Sequence, residues 1–127
     1  MNFGNVAVSA TTAGTAIMDP TGARTAGGAG GVTFPATTGV VSPASFTVLG
    51  QPGYSYAISL PSSCMLTDGA TNTMLVNNFI SDPAVSGALD ATGSQVLRVS
   101  ATLNVAAGQA PGNYQNLGGV PVTVNYN

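Results

Sequence analysis

The chain has 127 residues, of which 44% are hydrophobic, so it is long enough for a folded domain and too apolar to be disordered by composition. Only 5% of its residues are charged, against about a quarter in an ordinary soluble domain. The absence of Lys and the net charge of −2 argue against a nucleic-acid partner or an anionic-membrane surface. We predict a single domain over residues 1–127, whose copies can pack closely because little charge has to be desolvated.

Alternating apolar and polar residues predict β-strands along the whole chain, whereas no window carries an apolar stripe of three helical turns. In chain order, the clearest strand-like runs are FGNVAVS (3–9), SFTVLG (45–50), YSYAISL (54–60), TMLVNNFI (73–80) and QVLRVSATLNVA (95–106). The fourth run is almost continuously apolar, which indicates a strand buried on both faces or bent by a bulge. No apolar run approaches the ~18 residues of a membrane-spanning helix, so no transmembrane segment is predicted.

The phase of each alternation predicts which side chains point into the core. Phe46 and Val48 share one face of their run. In the run 54–60, the residues expected inside are Tyr54, Tyr56, Ile58 and Leu60. In the longest run, the residues expected inside are Leu97, Val99, Ala101, Leu103 and Val105, and those expected outside are Arg98, Ser100, Thr102 and Asn104.

Turn-forming segments rich in Gly, Pro, Asp and Asn separate these runs, and they include MDPTG, GQPGY, TDGATN, SDPAVSG and DATGSQ. Roughly seven to nine short strands at this spacing predict an all-β fold, an antiparallel β-sandwich with immunoglobulin-like topology. A closed barrel is the alternative. The Gly-rich stretch 25–31 is interpreted as a loop or a bulged edge of a sheet.

The residue types that carry most enzyme chemistry are missing, because the sequence has no His, Glu or Lys. No nucleophile–base pair can be built from what remains, so we expect no enzyme activity, no catalytic residues and no cofactor. The four carboxylates are expected to bond backbone N–H groups in turns, and they are Asp19, Asp68, Asp82 and Asp90. A calcium site at Asp68, Thr71 and Asn72 would have one carboxylate, which is too few, so no metal site is predicted.

Cys64 is the only cysteine, so no disulfide can form within the chain. It lies in the strand-like run SSCMLT, where a lone cysteine is typical of a small buried hydrophobic residue. With no His or Lys to lower its pKa, we expect no nucleophilic role for it.

The chain ends in a strict alternation in which Val120, Val122, Val124 and Tyr126 occupy every second position. A strand at the end of the sequence has a single sequence neighbour, so we expect it at the edge of a sheet, and no charged residue protects that edge. We therefore predict β-augmentation, in which an extended segment of a partner adds to this edge as a further strand.

Five segments together resemble one known family: MNFGNVAV, GARTAGGAGGVTF, SFTVLGQPGYSYAISLPSS, LRVSATLNVAAGQAPGNYQ and VPVTVNYN. The family is an exported bacterial domain of unknown function, the domain-of-unknown-function 4402 family, which is similar to spore coat protein U and to chaperone–usher pilins. The resemblance covers nearly the whole chain. Its sharpest elements are NFG at 2–4, LNVAAGQAPGNY at 103–114 and the terminal VTVNYN.

The resemblance implies an incomplete immunoglobulin-like sandwich that a donor strand from a neighbouring subunit completes. The implied function is that of a major structural subunit of an extracellular, cell-surface filament (a pilus or fimbria), a homopolymer that a periplasmic chaperone and an outer-membrane usher would assemble. The residues expected along the subunit–subunit groove are Phe3, Val6, Val8, Val120, Val122, Val124 and Tyr126. In this family a signal peptide and a short extra segment usually precede the NFG strand, so we expect both upstream of Met1. The chain differs from many such pilins in having a single cysteine, which leaves Cys64 unpaired.

Two other classes of function fit the same residues. One is a carbohydrate-binding surface adhesin module that uses loops such as 27–31 or 68–72 at one end of the sandwich. The other is a self-contained coat or decoration protein that needs no partner strand.

Overall fold

The computed structural model describes residues 1–127, and the fold is all-β, with open antiparallel sheets and no helix. The strands are β1 (Ala7–Val8), β2 (Gly14–Met18), β3 (Arg24–Gly28), β4 (Val32–Thr33), β5 (Ala44–Leu49), β6 (Ser55–Ser59), β7 (Ser63–Thr67), β8 (Thr73–Asp82), β9 (Ser86–Ala88), β10 (Ser94–Val105) and β11 (Thr123–Tyr126). The predicted fold class is confirmed in that the arrangement is compatible with a β-sandwich. Nothing in the structure is a helix capable of crossing a membrane.

A six-stranded sheet is organised around β10, the longest strand. β8 pairs with one edge of β10, and β7 pairs with β8. Two strands share the other edge of β10 end to end, because β5 pairs with residues 94–99 and β2 pairs with residues 102–105. β3 extends the sheet beyond β2.

The second layer consists of two separate small sheets. In the first, β6 lies between β11 and β9, so β11 is an edge strand. In the second, β1 pairs with β4, and an isolated bridge between Asn2 and Ser42 continues this pairing toward the N-terminus. No hydrogen-bonded strand connects β1 to β11.

The buried side chains form two clusters. The first consists of Phe3, Ala16, Met18, Val32, Val76, Ala101, Leu103 and Val105. The second consists of Val48, Tyr56, Ile58, Leu89, Leu97 and Val99. Phe79 is half-buried and packs against both clusters, so the hydrophobic core continues across the gap in the second layer.

Two turns share the sequence pattern Asp-x-Thr-Gly, one between β2 and β3 and the other between β9 and β10. In each turn a single carboxylate oxygen accepts bonds of 2.6 to 2.8 Å from the backbone N–H and the hydroxyl of the threonine. A glycine at positive φ follows, Gly22 at 91° and Gly93 at 77°, a conformation that most other residues avoid. These bonds confirm the turn role predicted for Asp19 and Asp90. Asp82, also predicted in a turn, is instead the last residue of β8.

The longest predicted strand is confirmed in position and in phase. All five residues expected inside β10 are at most 4% exposed. Of the two alternatives for the run 73–80, burial on both faces or a bulge, the structure shows the bulge, because the pairing of β8 with β10 shifts register between Ser100 and Thr102. On β8, Asn78 and Phe79 oppose the single residue Ala101, and Asn78 has a φ of 50°.

Three side-chain predictions are wrong. Ser100 and Thr102, expected outside, are 0% and 8% exposed, because larger residues lie directly opposite them on the neighbouring strands, Ile80 and Ile17. Tyr54, expected inside, precedes β6 and is 54% exposed.

The strand count of seven to nine is too low, because the structure has eleven strands, two of which (β1 and β4) contain only two residues each. Of the predicted run 3–9, only Ala7–Val8 is a strand.

Candidate functional site

A groove with a volume of about 920 Å³ occupies the gap between the two small sheets of the second layer. Residues 1–6 form one side, which we call the N-terminal wall. Residues 119–122 form the other side, the C-terminal wall, of which all but Pro121 line the groove. Residues 112–116 line a further part of it, where Gln115 exchanges two backbone hydrogen bonds of 2.8 Å with Thr67 at the end of β7.

The floor of the groove is the inner face of the six-stranded sheet, and its residues are Ala44, Phe46, Cys64, Leu66, Met74, Val76, Phe79, Val99 and Leu103. Phe46 lies on the same face of β5 as Val48, which is 6% exposed, yet Phe46 itself is 43% exposed. The difference arises because the second layer covers Val48 and leaves Phe46 uncovered. None of the side chains that line the groove is charged, so the groove presents apolar and uncharged polar side chains to an incoming segment.

The N-terminal wall is hydrogen-bonded along one edge only. Asn2 exchanges two backbone hydrogen bonds with Ser42, of 2.7 and 2.9 Å. Further along, the register with β4 turns the backbone N–H and C=O of Ala7 toward β4 and those of Val6 and Val8 away from it. The backbone of Val6 therefore presents an unpaired edge beside the groove.

The C-terminal wall has no backbone partner at all, since residues 116–122 take part in no backbone–backbone hydrogen bond. Pairing with β6 begins at Thr123, opposite Ser59, and Pro61, two residues after the end of β6, has no N–H to offer. Within β11, the backbone groups of Val124 face away from β6. The unpaired edge thus runs from the C-terminal wall into β11.

The two walls run in opposite directions. The N-terminal wall leads to Ser9, whose C=O accepts a hydrogen bond of 2.9 Å from Gly108, beyond the C-terminal end of β10. The C-terminal wall leads to Tyr126, whose hydroxyl donates to the C=O of Leu49, and Leu49 pairs with Ser94 at the N-terminal end of β10. A strand lying between the walls would be parallel to one and antiparallel to the other.

Amide side chains line the groove beside Cys64. Asn116 donates from Nδ2 to the C=O of Met65 at 3.0 Å. Its Oδ1 is buried and has no hydrogen-bond partner. Cys64 is half-buried, and burial raises the pKa of its thiol, so the thiol is protonated at neutral pH.

Four of the seven residues predicted for the groove line it, two on each wall: Phe3, Val6, Val120 and Val122. The other three lie outside the lining. Val8 packs against the first buried cluster and Val124 against the second, whereas Tyr126 packs against the ring of Tyr56.

No pattern in the sequence identifies the floor of the groove. The phase of β5 signalled that Phe46 points inward, but no pattern showed that it would be left uncovered. Nothing in the sequence signalled the part formed by residues 112–116. The side chains of His, Cys, Asp and Glu form no group of three that could hold a metal ion. The arrangement is suited to binding a peptide backbone, through two unpaired edges above an apolar floor.

A family model described as "Domain of unknown function (DUF4402)" matches residues 1–126, which include both walls and the whole floor. Neither the curated proteins nor the solved structures contain a match to the chain.

Proposed function

The chain belongs to the DUF4402 family, and from the groove we propose that it is a structural subunit of an extracellular bacterial filament. In this proposal each subunit takes an extended segment of a neighbouring copy into the groove, between its N-terminal and C-terminal walls. The segment acts as a donor strand and links the subunits into a homopolymer.

The observation that carries the proposal is the split second layer. A strand placed in the groove would lie between β1 and β11 and would join the two small sheets in the order β4, β1, inserted strand, β11, β6, β9. Six strands would then face the six-stranded sheet. The unpaired backbone edges of Val6 and the C-terminal wall would gain partners, and Phe46 would be covered.

The lining of the groove defines the class of segment that fits. Because no side chain of the floor is charged, a charged side chain directed at the floor would be desolvated without a partner, at a cost of several kcal/mol. A strand that alternates apolar and small polar residues directs its apolar side chains at the incompletely covered floor residues Phe46, Leu66 and Met74 and leaves the polar ones in solvent. The segment we expect is therefore uncharged on its inward positions.

The weakly charged surface supports close packing of copies outside the cell, since only six side chains in the chain are charged. The resemblance to spore coat protein U and chaperone–usher pilins supports the same proposal. A periplasmic chaperone that shields the groove and an outer-membrane usher are the assembly partners that this resemblance implies.

The test uses the lone cysteine as a reporter of groove occupancy. The probe is a synthetic peptide of about ten residues that alternates Val with Thr and ends in Lys for solubility. We expect saturable binding of the peptide, measured by fluorescence anisotropy, and slower alkylation of Cys64 by a maleimide when the peptide is bound, because the peptide would cover the floor.

Two variants on one strand control this test. Phe46→Asp places a charge in the floor, whereas Leu49→Asp places one on the opposite face of β5, where Leu49 is 65% exposed. We expect Phe46→Asp to abolish peptide binding and filaments seen by electron microscopy, and Leu49→Asp to retain both. Equal affinity of the two variants for the peptide would contradict the proposal. A stable monomer that does not bind the peptide would also contradict it and would favour a self-contained coat domain.

A further inference from the structure

We propose that Arg24 keeps the groove open by holding the N-terminal wall away from the C-terminal wall. This inference rests on the proposed function, because an open groove matters only if a partner strand enters it. Arg24 itself does not line the groove. It is a positioning residue, which contacts the wall and not the incoming strand.

The contacts of Arg24 are made to the backbone of the wall. Its Nη1 donates to the C=O of Phe3 at 2.6 Å and to the C=O of Asn5 at 2.9 Å. Its guanidinium lies over the ring of Phe34, 4.3 Å from the centroid, and Phe34 packs against the first buried cluster. Charge-assisted hydrogen bonds and a cation–π contact together fix the wall to β3.

The two cationic side chains of the protein lie in different environments. Arg98 is exposed on β10, whereas Arg24 is half-buried. The hydrogen bonds of Arg24 go to main-chain oxygens of one short segment and not to a carboxylate. Because partial burial of a guanidinium is unfavourable, the two carbonyls and the ring are the contacts that offset it.

Without Arg24, the wall would still be held by the backbone bonds of Asn2 to Ser42 and of Asn5 to Thr38. The carbonyls of Phe3 and Asn5 would lose their partner, however, and in our proposal residues 3–6 would then shift toward the groove. Phe3 and Val6 already border the apolar floor, and the unpaired edge of Val6 could pair with the unpaired C-terminal wall. Such pairing would bury the floor and satisfy both edges at once. Gly4, at a φ of 67°, provides a bend in the wall. The closed form would be filled by its own chain and would exclude a partner strand.

The experiment compares Arg24→Gln with Arg98→Gln, its matched control. For Arg24→Gln we expect the affinity for the Val–Thr peptide to fall about tenfold, which corresponds to about 1.4 kcal/mol. We also expect Cys64 of the free protein to react more slowly with maleimide than in the wild type, because the closed wall covers it. Arg98→Gln should match the wild type. Arg24→Lys, whose ammonium can donate to the same carbonyls but lacks the planar guanidinium that stacks on the ring of Phe34, should lose less affinity than Arg24→Gln.

The possible outcomes test the role of Arg24 and the filament proposal separately. Wild-type affinity and wild-type Cys64 reactivity in Arg24→Gln would overturn the role of Arg24 and leave the filament proposal intact. Faster alkylation of Cys64 would also overturn it, because the wall would have detached instead of closing. If the wild type does not bind the peptide, the filament proposal fails, whereas the alkylation rates still test Arg24. If circular dichroism shows that Arg24→Gln does not fold, Phe34→Leu removes the ring beneath the guanidinium, and the same two measurements apply.

Discussion

The ring of Tyr126 meets the ring of Tyr56 edge-on, with centroids 6.5 Å apart and an angle of 63° between the planes. Tyr56 is fully buried, and its hydroxyl donates to Gln95 Oε1 at 2.7 Å. Gly87 lies so close to this hydroxyl that an added Cβ would overlap it. The hydroxyl of Tyr126 in turn donates to the C=O of Leu49 at 2.5 Å. The penultimate residue thus ties β11 to the six-stranded sheet and leaves the outer edge of β11 free.

Tyr126→Ala should lower the free energy of unfolding by about 1–3 kcal/mol, because it removes an edge-on aromatic contact and a hydrogen bond. Tyr54→Ala is the matched control, since Tyr54 is 54% exposed and Tyr126 is 53% exposed. We expect a change of at most about 0.5 kcal/mol for Tyr54→Ala. Urea denaturation of both variants measures the difference, and equal losses would show that Tyr126 does not anchor β11.

Replacing Ser100 by Ala is not expected to lower the free energy of unfolding, in contrast to Tyr126→Ala. Its side chain is 0% exposed and its Oγ has no hydrogen-bond partner. A buried hydroxyl without a partner is unfavourable by about 1–3 kcal/mol, so Ser100→Ala should leave stability unchanged or raise it by about 1 kcal/mol. Ser45→Ala, at an exposed position of β5, is the control and should be close to neutral. A loss of stability in Ser100→Ala, measured by urea denaturation, would mean that the hydroxyl is hydrogen-bonded in solution.

The parts of the fold that the sequence predicts are those set by local patterns. β10 alternates over its whole length, and its inward residues are buried as expected. The continuous apolar run of β8 indicates either a strand buried on both faces or a bulge, and Asn78 and Phe79 form a bulge. The Asp-x-Thr-Gly turns could also have been found as a repeated motif at Asp19 and Asp90, because their side-chain hydrogen bonds follow from local spacing alone.

The rest depends on long-range pairing. β1 and β4 are only two residues long each, and no local pattern shows that Ala7 pairs with Thr33. The exposure of Phe46 reflects an uncovered part of the second layer, which the alternation of β5 does not reveal. Arg24 contacts Phe3 and Asn5, which precede it by 21 and 19 positions in the sequence. No local sequence pattern around Arg24 predicts these contacts. The sequence therefore predicts part of the two walls of the groove. It predicts neither the floor of the groove nor the contact of Arg24 with the N-terminal wall.

The turn carboxylates lead to a prediction about acid stability. The hydroxyl of Thr21 lowers the pKa of Asp19, the Asn72 side chain lowers that of Asp68, and the hydroxyl of Thr92 lowers that of Asp90. The unfolded chain, with an Asp pKa of about 3.9, therefore binds protons before the folded one as the pH falls. The stability that these carboxylates contribute is complete above that value and is lost as the pH falls through the lower pKa values of the folded state.

We expect the urea midpoint of the wild type to be flat between about pH 5 and pH 8, since the chain has no His to titrate there, and to fall below about pH 4. The variant that combines Asp19→Asn and Asp90→Asn keeps an acceptor oxygen in each turn and removes the titration. It should be less stable than the wild type at pH 7, because an amide oxygen accepts weaker hydrogen bonds than a carboxylate. Its midpoint should fall less between pH 5 and pH 3, so the two curves approach each other in acid. Parallel curves over this range would show that the loss in acid arises elsewhere in the chain.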